Sequence, residues 1–298
     1  MRRVRIAGVV VGAFMALGLA SASGAQATQF AYESNFAAGG GVAGLSVAAS
    51  GALMAVTGSP FATGSESPEG LAISPDAKHL YTAGYSATPR HIYSFTIGAA
   101  GTLTLAGAPR AIGDEAIGVV VTPDGKRVYV ANRSSGTISA FSVAADGSLT
   151  ELPVSPIGVP AVPAGLAVSA DGRYLYVTHS AASGRVSAYA IQPNGSLSPL
   201  PGSPYDTGSV PYALNLTPNG KYLYVAALGP DNKVFGFSVN AGGTLTPLAS
   251  TPPSTGSNPF GMTITPDGSR LYTTNYDGAS ISGFSIGADG TLTPIGTT

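Results

Sequence analysis

The chain reads as an all-β protein, a β-propeller of four-stranded antiparallel blades with six repeats and an incomplete first blade. Three observations carry this. An acidic or amide turn recurs at Asp76, Asp124, Asp171, Asn219 and Asp267, at spacings of 48, 47, 48 and 48. A Gly-Thr/Ser-Leu landmark begins at Gly101, Gly147, Gly195, Gly243 and Gly290. Each unit holds four short apolar segments, and a period in this range with four strands per unit is the pattern of propeller blades.

Segment A of each unit is almost wholly apolar: Gly70–Ile73, Gly118–Val121, Gly165–Val168, Ala213–Leu216 and Gly261–Ile264. A strand covered on both faces has that composition, so A is placed innermost. Segment B carries a central tyrosine, as in Val128-Tyr129-Val130 and Leu175-Tyr176-Val177, with Ala31-Tyr32-Glu33 as its first copy. Segment C alternates apolar with small or polar residues, as in Ile138-Ser139-Ala140-Phe141. Segment D follows the Gly-Thr/Ser-Leu landmark and often ends at proline, which suits an outer edge.

The joins follow from turn chemistry. A and B are linked by Pro-Asp-Gly-Lys-like turns, where Asp or Asn bonds its own backbone and Gly takes positive φ. C and D are linked by the hairpin pairs Asp146-Gly147, Asn194-Gly195 and Asp289-Gly290. The A–B and C–D turns then share one face of the disc, while the B–C loops and D-to-A crossings share the other. B, C and D occur six times but A only five, so the first blade is expected to lack an inner strand.

Residues 1–27 read as a signal peptide and residues 28–298 as a single propeller domain. Met1-Arg2-Arg3-Val4-Arg5 is a basic start, Ile6 to Ala20 an apolar run, and Ala20-Ser21-Ala22 and Ala25-Gln26-Ala27 are cleavage-like triplets. The apolar run is short for a membrane span of about 20 residues. The expectation is therefore export, to the periplasm, cell envelope or medium, with no membrane span after cleavage. The chain has no cysteine, which excludes disulfides and thiol chemistry.

Only 10% of the residues are charged, against about 25% in an average soluble domain. Without the leader there remain 11 basic and 15 acidic residues and no basic cluster, so nucleic acid is not an expected partner. Three scattered histidines and no calcium-loop spacing argue against a metal, and no cofactor motif is present. A monomer is expected.

The run from Val119 to Asn132, with Thr122-Pro123-Asp124-Gly125-Lys126 and Tyr129-Val130-Ala131-Asn132, followed by Gly136-Thr137-Ile138-Ser139-Ala140-Phe141, resembles the lactonase-type β-propeller family. The related YVTN repeat proteins share the pattern, which Tyr176-Val177-Thr178-His179 echoes. The resemblance covers the whole mature chain. It implies opening or closing of a lactone, as in 6-phosphogluconolactonase-like members, and a ring that is usually seven-bladed.

Subtracting the repeat leaves a charge pattern. Arg90, Arg110, Arg133, Arg185 and Lys233 fall in B–C or D–A loops, as do all non-repeat acids except Glu151. The function is therefore sought on that individual face. Two slots should lie nearest the axis. The end of B reads Asn35, Gly84, Asn132, His179, Ala227 and Asn275, and the residue just before the Gly or Ala that opens A reads Glu69, Ile117, Ala164, Tyr212 and Phe260. His179 is the one titratable side chain of the first slot and Glu69 the one carboxylate of the second. An imidazole can act as general base and a carboxylate can orient it or activate water. Arg133 and Arg185, with Asn132, could hold the oxyanion of an attacked lactone carbonyl.

The candidate catalytic residues are therefore His179, Glu69, Arg133 and Arg185, and the candidate ligand-binding residues Asn132, Asn275, Tyr212, Phe260 and Tyr276. The competing reading makes His179 a hydrogen-bonded loop residue in an Asn slot, and the two arginines solvated charges. The function expected is hydrolysis of a small lactone at the channel mouth. The alternative is a non-catalytic envelope propeller that uses its loop aromatics to bind a protein, peptide or glycan.

Overall fold

The computed structural model describes residues 16–18, 29–35, 40–64, 67–85, 89–250 and 252–298. Among the described residues there is no helix, and six antiparallel sheets form the blades of a β-propeller. Blade three is representative. Ala116–Val121, Arg127–Asn132, Thr137–Val143 and Leu149–Glu151 are its strands A to D, and a two-residue piece, Ile157–Gly158, continues D along strand C. The proline-containing break between the two halves of D is where a strand without a free N–H is tolerated.

The A–B turns form as their chemistry predicts. Asp124 Oδ1 accepts from Thr122 Oγ1 at 2.6 Å and from the Lys126 amide at 3.0 Å. The same pair of bonds recurs at Asp76, Asp171, Asn219 and Asp267. The landmark glycines serve two constraints at once. Gly243 has a φ of +77°, and a Cβ there would stand 2.5 Å from the Tyr174 ring of the preceding blade. Only glycine satisfies both the left-handed turn and that contact.

Adjacent blades pack through B-strand tyrosines and C-strand apolar residues. Tyr129, Tyr176, Tyr224, Phe141, Phe237 and Phe284 are at most 1% exposed. Burial falls away at the ends of the series. Ile281 is 46% exposed where its repeat-mate Ile138 is sealed, and Leu53 is 52% exposed where Leu149 is buried. The forward face of blade six and the backward face of blade one are thus more open than the five junctions between them.

The first blade differs from the sequence expectation. Its inner position is filled by Ala16–Gly18, antiparallel to Gln29–Ser34 with Leu17 opposite Ala31. These three residues carry none of the Pro-x-Gly marks of segment A, so counting repeats passes over them. The remainder of the predicted leader, including both cleavage-like triplets, lies outside the described residues. No helix among the described residues is long and apolar enough to cross a membrane.

Candidate functional site

Each of blades two to five has a β-bulge where strand A begins. The A–B register shifts between Pro68 and Leu71, Ala116 and Val119, Pro163 and Leu166, and Pro211 and Leu214. A bulge re-aims a side chain. Here it re-aims Glu69, Ile117, Ala164 and Tyr212, with Phe260 at the equivalent shift in blade six. The glycine that follows lets neighbouring inner strands close up: a Cβ on Gly118 would lie 2.3 Å from the Ala164 carbonyl.

The result is a cluster on the axis. Ile117, Ala164 and Tyr212 are buried together, with Tyr85, Leu228 and Phe260 packed against them. The Tyr212 and Phe260 rings lie 4.2 Å apart between centroids, and Phe260 and Tyr276 6.2 Å. Into this apolar setting comes one carboxylate. Glu69 is 4% exposed, and its Oε1 accepts a hydrogen bond from the Tyr212 hydroxyl. Burial pushes the Glu69 carboxyl up to about 7. The Tyr212 bond and the Arg133 charge pull it back in part, and Glu115 opposes them. Burial and the Glu69 charge together raise the Tyr212 phenol well above its ordinary range.

Arg133 stands beside this pair. Its Nη1 is 3.3 Å from Glu115 Oε2, both side chains being about a third exposed, while its buried Nε has no hydrogen-bond partner. Glu115 occupies the left-handed region at φ 53°, and its carbonyl accepts from the Arg133 amide at 2.9 Å. Val162, Val210 and Asn258 repeat that backbone conformation at the same slot and accept from Ser180, Leu228 and Tyr276. The tight turn before each inner strand is therefore a repeat feature, and a carboxylate occupies it in blade three.

His179 is held differently. It is buried, its Nδ1 is 3.0 Å from the Pro160 carbonyl, and its Nε2 is 2.8 Å from Ser187 Oγ. Desolvation lowers its pKa, with the backbone bonds opposing. Asn132 and Asn275 occupy the same slot and donate to the serines that match Ser187, namely Ser139 at 2.9 Å and Ser282 at 3.0 Å. The Glu69 carboxyl meets the Tyr212 hydroxyl and the charges of Arg133 and Glu115, while the His179 ring meets Pro160, Ala161 and Ser187.

Arg185 is half-exposed and paired with Asp206 at 3.3 Å on the neighbouring strand. The geometry thus joins Glu69, Tyr212 and Arg133, and places His179 and Arg185 in separate contacts. Phe260, Asn275 and Tyr276 come together as well, lining a cavity of about 390 Å³ with Ile281 and Ser280. Asn132 is fully buried, with Oδ1 unpartnered. Sequence reasoning gave Glu115 no role in a site. Glu115 had one available signal, a charge directly before the bulge position in one unit only.

Among the described residues no cluster of three or more His, Cys, Asp or Glu side chains is arranged to hold a metal ion. The family described as the lactonase, seven-bladed β-propeller family matches residues 28–157, 153–229 and 205–297, and the chain belongs to it. The periplasmic gluconolactonase PpgL of Pseudomonas aeruginosa superposes with a TM-score of 0.79 at 22% identity, covering 92% of this chain and 82% of that one. A structure described as a 6-phosphogluconolactonase of Bacteroides uniformis gives 0.75 at 21%, covering 90% and 81%. A Lactobacillus plantarum protein gives 0.76 at 21%, with the same coverage. These likenesses are likenesses of fold. No curated protein matches the chain.

Proposed function

We propose that this protein hydrolyses a small lactone at the channel mouth, with Glu69 as general base. The observation that carries the reading is the buried Glu69 carboxyl, held near neutrality beside Tyr212 and Arg133. A base whose pKa sits near the working pH combines availability with driving force.

In the proposed step Glu69 takes a proton from a water molecule as its oxygen bonds to the lactone carbonyl carbon. The carbonyl oxygen becomes an oxyanion facing the Arg133 guanidinium. Collapse breaks the ring C–O bond, and the leaving alkoxide takes the proton back from Glu69, giving the open-chain hydroxy acid. The Tyr212–Phe260–Tyr276 run leads from the carboxylate to the 390 Å³ cavity, which suits the carbon skeleton of the substrate. His179 is assigned a positioning role, bracing the Pro160 loop through bonds at both ring nitrogens.

The individual face carries more acids than bases, which favours a neutral lactone over a phosphorylated one. The predicted leader and the periplasmic relative support an exported protein. The test is hydrolysis of a panel of γ- and δ-lactones, glucono-δ-lactone included. E69Q should lower kcat by about 10²-fold or more. Wild-type protein without activity on any member would overturn the proposal. It would favour a second reading, binding of a protein, peptide or glycan, to which the exposed Tyr276 and Ile281 lend support.

A further inference from the structure

The B-strand tyrosines of blades one to five form a series with one break. Tyr32, Tyr129, Tyr176 and Tyr224 each donate to the carbonyl of the landmark glycine in the next blade, at 2.8, 3.0, 2.9 and 2.6 Å. Tyr81 is fully buried in the equivalent place, yet its hydroxyl has no hydrogen-bond partner.

The residue two positions earlier departs in the same blade. Elsewhere this slot holds a side chain long enough to span the blade junction. Arg127 donates to the Pro193 carbonyl, and the Tyr222 hydroxyl donates to the Ala288 carbonyl at 2.7 Å. His79 is shorter. Its ring lies against Gly147, where a Cβ would stand 2.2 Å from Nδ1, but Nδ1 itself is buried without a partner. His79 is 9% exposed. A cavity of about 510 Å³ lies between blades two and three, lined by both residues. That size is within the range of small-molecule sites, about 300–1,000 Å³.

We propose that this cavity binds a small, neutral, polyhydroxylated molecule, a monosaccharide or polyol. A hydroxyl group is donor and acceptor at once. Ligand hydroxyls can accept from Tyr81 Oη and donate to His79 Nδ1, two buried atoms that otherwise have nothing to bond. Pro75, Pro123 and Ala144 offer apolar wall to the C–H face of such a ligand. The charges are at the rim: Asp76, Asp124 and Lys126 are exposed, and both carboxylates are already bonded by their own turns. The buried side lacks a cation for an anionic ligand, and among the described residues no acidic cluster is built for a metal ion. The cavity is on the face of the A–B and C–D turns, at the opposite end of the strands from Glu69, so the proposal does not depend on the lactonase reading.

The experiment is calorimetric titration of the full chain with D-glucose, D-galactose and glucitol, with methylammonium chloride and sodium phosphate as charged probes. Wild-type protein should bind at least one neutral probe with a Kd below about 10 mM. Y81F, which removes only the orphaned hydroxyl, should weaken that binding about tenfold. H79Y restores the side chain found at Tyr174 and Tyr222, and should abolish binding while the chain stays folded. Absence of neutral-probe binding to wild type would overturn the proposal. So would unchanged binding in both variants, binding of a charged probe alone, or a crystal soaked in the sugar showing only water in the cavity.

Discussion

Tyr212 on blade five donates a hydrogen bond across the channel mouth to Glu69 on blade two, 143 residues earlier in the chain. The bond goes to the charged form and holds the carboxyl below where burial alone would put it. Y212F removes that support, so the Glu69 pKa should rise further above about 7. A hydrogen bond to a charged group is worth about 1.5–3 kcal/mol, or roughly one pKa unit or more. The rising limb of the pH–kcat profile for lactone hydrolysis should therefore move up by about one pH unit. An unmoved limb would separate the two residues functionally.

The same carboxyl sets a pH dependence of stability. Its folded pKa, about 7, is raised from the ordinary value of 4.5, so between these values the unfolded chain has lost a proton that the folded chain retains. Stability from this group is full below the unfolded value and declines as pH rises through the folded one. The amplitude is on the order of 3 kcal/mol. E69Q keeps the side chain neutral and should remove this slope. Melting midpoints of the two proteins should diverge between pH 5 and 7, with the variant gaining on wild type as pH rises.

His179 shares its slot with Asn132 and Asn275 and bonds the matching serine. H179N should therefore fold with a melting midpoint within a few degrees of wild type and keep most of its kcat. A loss of about 10²-fold in kcat with the fold intact would return the base role to the imidazole. Circular dichroism melts alongside lactone kinetics distinguish the two.

What the sequence disclosed follows the same division. Blade number, strand order and turn positions were legible because Asp124, Gly243 and their repeat-mates each satisfy a local rule. Glu69 and His179 stood out as titratable exceptions in repeated slots. The convergence of Glu69 with Tyr212 and Arg133 was not legible, because three different blades supply the residues and only the bulges and ring geometry bring them together. The bracing of His179 depended on Ser187 one strand away, a contact that repeat alignment could have suggested from Asn132 and Ser139.

The landmark glycines allow a paired test of local strain. Gly243→Ala places a Cβ 2.5 Å from the Tyr174 ring at a φ of +77°. The neighbouring Gly242 has open space around its Cβ position. The first substitution should cost about 1–3 kcal/mol and lower the melting midpoint by several degrees, the second almost nothing. Equal midpoints would remove the steric account of the Gly-Thr/Ser-Leu landmark.

The strand Ala16–Gly18 sets two roles against each other. As part of an apolar run after a basic start it reads as a leader, yet it pairs with Phe30–Tyr32 in the inner slot of blade one. Removal of residues 1–27 would leave that edge of Gln29–Ser34 without its partner. Two or three ladder hydrogen bonds at about 1 kcal/mol each would be lost. Hydrogen exchange on the full chain and on residues 28–298 should then show faster exchange at Gln29–Ser34, while His79–Gly84, the same strand of blade two with its inner partner Pro68–Ile73 in place, stays protected. Equal protection at Gln29–Ser34 in both proteins would mean that Ala16–Gly18 adds nothing to blade one, and that cleavage after Ala27 is structurally neutral.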